Sequence, residues 1–570
     1  MRKIKYICLG MLVFISQSCN NDILDLQPQG AISEAVVWND PQLIELFVSG
    51  AYTQLPHGFP LWAGGLRLTS LTDESYHMHQ CRLVCKYTQG EVTESNMHLF
   101  GGFWRQAYET IRSTNIFLEN IRDDIGDPAR IAQLTAEIRF LRAFFYIELF
   151  SRYGDIPLVT STFGLEDDFS MDRTPVAEIV SFVADELDLA SADLPTTFTG
   201  ADFGRATKGA AIALKARALL YGASPLFSAE DTEKWQLVAD ACEELFALNL
   251  YALSSDYEGI FFNVSDPEVI FFRQFISEFG WEQDSRDGDS YYYYKGGHNI
   301  DEWRMPNGSD GWVGENPLQN LVDKYETIDG EIPVLGYSGA SDDLKPLLNP
   351  AAISYDPLNP YANRDPRLYY SIIHDGANFQ GREIEFWECG TDSRCDNIEG
   401  WWNGSLLDYS IRKSVNAGWE PGENENSSTP WIYMRLAEIY LTYAEAQYHL
   451  GNMGLAIEYV NRVRSRTGVN MPSIESSQSS SSLLDKIKHE RNIELAFESN
   501  RWYDARRWRD AEVDFSAPAI GARVIRNEMT GVKSYEYFVQ QKRAFPESHY
   551  LFPIPLEERT KSGLIQNPGY

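Results

Sequence analysis

Three glutamates spaced four residues apart are the most conspicuous chemical feature of this sequence. Glu490, Glu494 and Glu498 lie in HERNIELAFESNRW, where helical geometry would stack them on one face. Paired carboxyl groups of this kind serve as acid and base in glycoside cleavage. Three like charges in register also call for basic partners, and five arginines are near: Arg435, Arg491, Arg501, Arg506 and Arg507. We interpret the ladder as an ion-pair brace between helices, because nothing in this stretch suggests a substrate pocket.

Two clusters contain residue types that bind metals. The first is a His-x-His pattern with two cysteines, His77, His79, Cys81 and Cys85, whose spacing fits no well-specified zinc motif. The second is an acidic loop around Gly288, formed by Asp284, Asp287 and Asp289, which suits calcium but lacks the full spaced motif. A disulfide and a solvated loop are the simpler interpretations. We therefore predict no metal site and no cofactor, with a structural calcium at the acidic loop left open.

The remaining cysteines carry less information. Cys242 lies inside the helical pattern LVADACEELF and is predicted to be a small buried apolar residue. Cys389 and Cys395 flank a short loop, and both they and the pair Cys81 and Cys85 are placed to form disulfides outside the cytoplasm. The sequence does not fix the connectivity.

Aromatic residues in the poorly periodic stretch 251–430 suggest binding chemistry. They stand among Asp, Asn and Gly instead of on apolar helical faces. An aromatic ring offers a stacking surface to the C–H face of a sugar, and neighbouring polar groups bind its hydroxyls. The alternative is that these rings pack the loops onto the helices. The group comprises Trp281, Tyr291 to Tyr294, Trp303, Trp312, Trp387, Trp401, Trp402 and Trp419. From it we predict ligand contacts for Trp281, Tyr291, Tyr292, Trp303 and Trp312.

Helices must position these residues. Apolar residues recur at helical spacing, with glycine or proline stops, in seven stretches: 33–52, 103–121, 138–153, 176–194, 204–224, 235–248 and 432–450. The last of these continues through a Gly-Asn-Met-Gly corner into a second helix that stops at Gly468, as in a tetratricopeptide unit. We predict an all-α fold of TPR-like helix pairs that carries a long, loop-rich irregular region. The Ser-rich run 476–482 is predicted to be a linker.

The N-terminus has the layout of a secretory signal. Basic residues at positions 2, 3 and 5 precede a short apolar run that is too short to cross a bilayer. The small residue before Cys19 resembles a lipobox, which predicts lipidation of Cys19; ordinary cleavage without lipid is the alternative. The predicted parts are a signal peptide (1–18), a lipidated tether (19–37), an N-terminal helical region (38–250), a loop-rich ligand-binding region (251–430) and a C-terminal helical region (431–570).

Charge excludes one class of partner. Acidic residues outnumber basic ones by 82 to 49, giving a formal net charge of −33. Such a field repels phosphate backbones, so we predict no nucleic-acid partner. The composition is compatible with an uncharged ligand.

Three stretches of the C-terminal region carry a resemblance. In order they are MRLAEIYLTYAEA, NRVRSRTG and ERNIELAFESNRWYDARRW, and they are similar to the SusD/RagB family. The helix IRFLRAFFYIELFSRYGDIPLV and the ending YLFPIPLEE…QNPGY are similar to the same family. Its members are glycan-binding outer-membrane lipoproteins of Bacteroidetes nutrient uptake.

The resemblance implies a non-catalytic protein on the cell surface. Such a protein would be held at the outer membrane by its lipid, capture an oligo- or polysaccharide and deliver it to a SusC-like TonB-dependent transporter. The family's glycan face also draws on the loop that here corresponds loosely to Asp73, Tyr76, Arg82 and Asn96. Three alternatives remain open. The protein could be an all-α glycoside hydrolase or polysaccharide lyase, a family member that binds peptides, or a plain helical scaffold for protein partners.

Overall fold

The computed structural model describes residues 34–58, 68–78, 84–96, 98–164, 166–277, 281–284, 291–294, 298–393, 404–420, 426–475 and 480–570. The described residues are mostly helical, and their strands form small sheets. The expectation of an all-α fold is therefore confirmed for the helical scaffold and needs correction for the loop-rich region, which contains several small sheets. The protein is mainly helical.

Local sequence signals set many of the helix ends. Asp127 caps the longest helix by accepting a hydrogen bond from the Ala129 N–H at 3.2 Å, proline occupies its first turn, and Gly154 ends it at a φ of 75°. The helices are α1 (Glu34–Val37), α2 (Pro41–Tyr52), α3 (Val84–Thr88), α4 (His98–Asn120), α5 (Pro128–Tyr153), α6 (Val176–Asp193), α7 (Lys208–Ala223), α8 (Thr232–Ala247), α9 (Ile300–Arg304), α10 (Gln319–Lys324), α11 (Arg367–Ser371), α12 (Leu436–His449), α13 (Met453–Arg464), α14 (Ser480–Glu494), α15 (Asn500–Arg507), α16 (Ala511–Asp514) and α17 (Leu556–Ser562).

The strands form one four-stranded sheet and several two-stranded ribbons, all antiparallel. The sheet has the order β13-β14-β7-β6, and the ribbons pair β1 with β5, β2 with β12, β3 with β4, β8 with β11 and β9 with β10. The strands are β1 (Ser75–His77), β2 (Val269–Arg273), β3 (Trp281–Asp284), β4 (Tyr291–Tyr294), β5 (Glu315–Pro317), β6 (Val334–Ala340), β7 (Asp343–Leu348), β8 (Ile372–His374), β9 (Asn378–Phe379), β10 (Arg382–Glu383), β11 (Tyr409–Ile411), β12 (Trp431–Arg435), β13 (Ala519–Arg526) and β14 (Lys533–Gln541).

Consecutive helices pack against one another along the scaffold, from α4 through α8, and α12 packs on α8, α13 and α14. Buried polar bridges fix these contacts. Arg142 of α5 binds Glu186 of α6 at 2.6 Å and the side-chain oxygen of Asn115 of α4 at 2.9 Å. Arg217 of α7 binds Glu438 of α12 at 2.6 Å. Because a buried charge without its partner is costly, these bridges specify which helices meet.

One apolar core joins distant parts of the chain. It contains residues of α2, α4 and α5 to α8, together with Trp502, Phe552 and Ile554 from the C-terminal region. The aromatic ring of Phe552 lies 6.0 Å from that of Tyr153 and 5.1 Å from that of Trp502. Within the described residues, no helix has both the length and the apolar character needed to cross a membrane.

Two predicted helical stretches need correction. The stretch from 432 begins as a strand, β12, which pairs with β2, and the helix starts only at Leu436. The ladder helix ends at Glu494, and Phe497 and Ser499 then adopt left-handed backbone conformations with φ of 62° and 69°. Glu498 therefore lies in a turn outside the helix. The freed carbonyl oxygens of Glu494 and Ala496 accept hydrogen bonds from the Lys413 ammonium at 3.0 and 2.9 Å.

Candidate functional site

A buried glutamate builds the corner that carries the predicted tryptophans. Glu315 of β5 is fully buried and accepts hydrogen bonds from Thr69 Oγ1 at 2.8 Å and Ser70 Oγ at 3.2 Å, in the 3-10 turn Leu68–Leu71. Its other oxygen accepts from Arg304 Nε of α9 at 3.0 Å. The ribbon of β1 and β5 completes the frame, since the Met78 N–H donates to the Gly314 carbonyl at 3.0 Å. This corner is therefore rigid.

Two predicted ligand-contacting tryptophans meet at this corner. The rings of Trp303 and Trp312 lie 5.8 Å apart at an interplanar angle of 72°. The ring of His77 stands at 5.9 Å from Trp303, nearly perpendicular to it. Trp303 is 5% exposed, whereas Trp312 is half-buried, so Trp312 presents more surface to a ligand. A β-carbon at Gly314 would lie 2.0 Å from the Trp303 indole, so only glycine permits this packing.

Tyr76 lies on the other side of strand β1. Side chains alternate along a strand, so Tyr76 and its neighbour His77 face opposite ways. Tyr76 is half-buried and packs beside Leu318, Leu407 and Ala519. The structure therefore brings His77 to the tryptophans instead of Tyr76. The sequence indicated His77 only as a possible metal ligand, and the alternation of side chains along a strand is the one sequence feature that points to a place beside the tryptophans.

Asp73 and Asn96 both have protein partners. Asp73 is 7% exposed and accepts hydrogen bonds from Arg501 at 2.8 and 2.9 Å and from Lys324 at 2.5 Å. Burial opposes ionisation, but these two cations hold the pKa of Asp73 well below its usual range. Asn96 caps a turn: it accepts from the Thr93 N–H and donates to the Glu91 carbonyl, both at 2.8 Å. Ligand contact by either side chain stays a prediction.

Several predicted residues are described only in part. Cys19 and Arg82 lie outside the described residues. The backbones of Trp281, Tyr291 and Tyr292 belong to the β3–β4 hairpin, in which Trp281 pairs with Tyr294, Gln283 with Tyr292 and Asp284 with Tyr291. The hairpin precedes α9 by a few residues. The chain between them passes His298, which is fully buried and whose Nε2 lies 2.7 Å from the Thr429 carbonyl oxygen.

The structure describes only some of the residues in the predicted metal clusters and disulfides. In the part of the chain that the structure describes, no group of three or more His, Cys, Asp or Glu side chains is arranged to hold a metal ion. His79 and Cys81, and likewise Asp287 and Asp289, lie outside that part. Cys242 is buried and free, as predicted, and Cys85 and Cys389 are each disulfide-bonded.

The glutamate ladder is an ion-pair lattice, as predicted. The Arg435 guanidinium binds Glu494 at 2.6 Å, Glu498 at 2.8 Å and Glu268 at 2.7 Å. Four further cations complete the lattice: Arg367, Arg464, Arg466 and Lys413. Of the arginines named from the sequence, only Arg435 belongs to it. The others bind elsewhere: Arg491 to Asp504, Arg501 to Asp73 and Asp514, Arg507 to Glu445 and Asp504, and Arg506 to carbonyl oxygens.

The lattice ties the loop-rich region to the C-terminal helices. Arg367 of α11 reaches Glu490 at 2.5 Å, and Lys413 reaches Glu498 at 2.7 Å. Burial disfavours charged carboxylates, but Arg367 and Arg464 lower the pKa of Glu490 to about 2, and Arg435 and Lys413 do the same for Glu498. These carboxylates are ionised and occupied by cations, which supports the interpretation of a brace.

The described structure consists of paired helices that carry an aromatic corner built from loops and short strands. The sequence profile described as the SusD family matches residues 267–570, and one described as starch-binding associating with outer membrane matches residues 22–220. The chain belongs to the SusD family, and the resemblance seen in the sequence is confirmed.

Similar proteins extend the match over nearly the whole chain. SusD-like protein P2 of Formosa agariphila is 24% identical over 584 residues, which cover 96% of each chain. The crystal structure of a SusD-like protein from Bacteroides fragilis NCTC 9343 is 27% identical, with a TM-score of 0.77, and the match covers 95% of this chain and 100% of that one. A SusD-like carbohydrate binding protein from the same strain is 24% identical, with a TM-score of 0.74, over 92% of this chain and 99% of that one.

Proposed function

We propose that this protein is a cell-surface lipoprotein that binds an oligo- or polysaccharide and delivers it uncleaved to a SusC-like TonB-dependent outer-membrane transporter. The observation that carries the proposal is the pair of Trp303 and Trp312 on a rigid corner, within a chain of the SusD family. The half-buried Trp312 ring supplies a stacking surface for a sugar ring. The starch-binding description of the profile that matches 22–220 supports the same ligand class.

Binding without cleavage fits the state of the glutamate ladder. The closely spaced carboxylates of the ladder are held by arginines and lysine, and the pKa values of Glu490 and Glu498 are lowered to about 2. A general acid for glycoside cleavage needs a raised pKa instead, so that it carries a proton at neutral pH. Attachment to the membrane is assigned to a lipid on Cys19, in keeping with its position after the apolar signal run.

Affinity electrophoresis tests the binding step. The protein is run in native gels that contain a panel of neutral polysaccharides, and the polysaccharide that retards it is used for variants. Trp312→Ala removes the half-buried stacking ring, and affinity should fall by about tenfold. Trp387→Ala is the matched control, because Trp387 is also half-buried in a loop but its ring is flanked by Arg526 at 4.7 Å and Lys533 at 4.6 Å. Equal retardation of wild type and Trp312→Ala would refute the assignment.

Further measurements test the alternatives, the delivery step and the membrane anchor. A reducing-sugar assay on the retarding polysaccharide should detect no new reducing ends. New reducing ends would instead identify an enzyme, which is a lyase if the products are unsaturated and a hydrolase if they are not. Retardation by no polysaccharide, together with binding of peptides, would favour the peptide-binding alternative. Co-purification of the full chain with the transporter tests delivery, and Cys19→Ala should shift the protein from the membrane fraction to the soluble fraction.

A further inference from the structure

The loop that presents Trp312 is a compact turn, and we refer to residues 306–312 as the Trp312 loop. The Gly311 N–H donates to the Pro306 carbonyl at 3.1 Å, which closes the loop. The Trp312 N–H donates to the Glu302 carbonyl at 2.7 Å, which ties the end of the loop to α9. Since these bonds exist before any ligand arrives, little ordering of the backbone is required on binding.

Side chains beneath the Trp312 loop hold it from a second direction. The Gly308 N–H donates to the fully buried Asp392 carboxylate at 3.0 Å. Arg382 binds the same carboxylate at 2.6 and 2.7 Å and also donates to Ser309 Oγ at 3.1 Å. The charge of Arg382 is therefore neutralised by Asp392, and the loop rests on a fixed polar base.

Asp310 and Trp312 stand on either side of a buried glycine. A β-carbon at Gly311 would lie 2.1 Å from the Met305 carbonyl oxygen, so the loop backbone presses on the corner at this point and only glycine fits. Asp310 is exposed, and Trp312 is half-buried. Because the two residues are separated by one position, their α-carbons lie within about 7 Å of each other. A sugar ring stacked on Trp312 is thus within reach of the Asp310 carboxylate.

The backbone on both sides of Trp312 adopts left-handed conformations that are uncommon outside glycine. Asp310 has a φ of 59°, and Val313, a β-branched residue, has a φ of 45°. The Val313 N–H donates to the Met305 carbonyl at 3.3 Å, and the Val313 carbonyl accepts from the Asn316 amide at 2.8 Å. Strained conformations persist where surrounding contacts enforce them, and they concentrate at binding sites. This strain supports a functional reason for the placement of Asp310 and Trp312.

Asp310 differs from the buried carboxylates of the corner, Glu315 and Asp392, which are both held by arginines. Within the described residues, the Asp310 side chain makes no hydrogen bond and no ion pair, and its exposure leaves it hydrated. Sugar hydroxyls can replace that water, because the two oxygens of a carboxylate accept hydrogen bonds from two adjacent hydroxyl groups. The same carboxylate repels an anionic group, and the net charge of −33 adds to this repulsion.

We propose that Asp310 determines which sugars bind at the Trp312 ring. Its carboxylate accepts hydrogen bonds from two adjacent hydroxyl groups of the stacked sugar, and it excludes saccharides that carry a carboxylate or a sulfate at that position. The ligand class of the site is therefore a neutral polysaccharide with free neighbouring hydroxyls. The inference rests on the proposed function, because it requires that the Trp312 ring stacks on a sugar.

Affinity electrophoresis with matched ligands tests this role. The ligands are the neutral polysaccharide that retards wild type, a partly carboxymethylated derivative of it, and a hydroxyethylated derivative of equal substitution as the uncharged control for bulk. Wild type should bind the carboxymethylated derivative about tenfold more weakly than the hydroxyethylated one, because the added carboxylates meet Asp310. High salt should narrow this difference, since it screens charges that are exposed to water.

Two variants separate the charge of Asp310 from its side chain. Asp310→Asn removes the charge and suits the left-handed backbone, so it should bind the two derivatives about equally. Asp310→Gly removes the side chain and also suits this backbone, so affinity for the neutral polysaccharide should fall about tenfold. Asp193→Asn is the matched control, because Asp193 is exposed at the end of α6 and its substitution changes the net charge equally. It should leave all three affinities unchanged.

The outcomes distinguish this inference from the proposed function. Unchanged affinity of Asp310→Gly for the neutral polysaccharide, together with weakened binding by Trp312→Ala, would overturn the role of Asp310 and leave the proposed function standing. Equal discrimination between the two derivatives by wild type and Asp310→Asn would also overturn it. Failure of wild type to bind any polysaccharide would overturn both.

Discussion

Glu494→Gln should destabilise the protein more than any exposed substitution, because Glu494 is a central acid of the ion-pair lattice. Its carboxylate faces Arg435 at 2.6 Å, Arg367 at 2.9 Å and Arg466. Glutamine keeps the shape and removes the charge, which leaves buried guanidinium groups without full compensation. Breaking a buried ion pair in this way costs about 3 to 5 kcal/mol of unfolding free energy.

The same cost can be expressed as a melting shift. Unfolding entropy of about 2.1 cal/mol/K per residue, taken over 570 residues, gives about 1.2 kcal/mol/K for cooperative unfolding. A loss of about 4 kcal/mol then lowers the melting temperature by about 3 °C. Differential scanning calorimetry measures this shift, and urea denaturation followed by tryptophan fluorescence measures the free energy.

A matched control lies on the surface of α13. Glu458 pairs with Arg462 at 2.7 Å, but the two side chains are 50% and 43% exposed. Water screens this pair, so Glu458→Gln should change stability by less than about 0.5 kcal/mol. If Glu494→Gln and Glu458→Gln lower the free energy of unfolding by the same amount, the buried charges of the lattice do not hold these elements together. That result would refute our interpretation of the lattice as a brace.

Three further predictions concern pH, packing and reactivity. Because the pKa values of Glu490 and Glu498 are lowered in the folded state, each carboxylate stabilises that state by about 3 kcal/mol at pH values above its unfolded pKa of about 4.5. This stabilisation is lost as pH falls toward about 2. When unfolding is followed against pH, the free energy of unfolding of Glu490→Gln should therefore decline less steeply than that of wild type. Gly314→Ala should cost about 1 to 3 kcal/mol in urea denaturation and weaken glycan retardation, because its β-carbon would strike Trp303; an unchanged midpoint would contradict the packing described. Burial raises the pKa of Cys242, so its peptide should be alkylated by iodoacetamide only after denaturation, as peptide mapping by mass spectrometry will show.

Helices with a clear apolar period were predictable to within a few residues. The helix expected over 176–194 is observed as Val176–Asp193, and that expected over 235–248 as Thr232–Ala247. Strand β12 was missed because all five of its residues are buried, so no period of two appears in its sequence. Its partner β2 lies more than 150 residues earlier, and no local pattern reports such pairing.

The sequence indicated which types of residue form the site better than it indicated which of them come into contact. Four-residue spacing indicated that the glutamates needed cations, but Arg367, Arg464 and Arg466 come from elements whose approach only the fold determines. Trp303 and Trp312 are close in sequence and meet as expected of neighbours.

The shared core of the scaffold also constrains how the protein can be made. Phe552 packs among the rings of Tyr87, Tyr153 and Trp502, and the Asn567 amide donates to the Tyr153 carbonyl at 2.8 Å. The apolar core of the N-terminal helices is therefore incomplete until residues some 400 positions later have been synthesised. Contacts of such long sequence separation form slowly, and helices that wait for them expose apolar surface. A chain cut short before residue 550 should consequently be a substrate for proteases and chaperones, and not a smaller working protein.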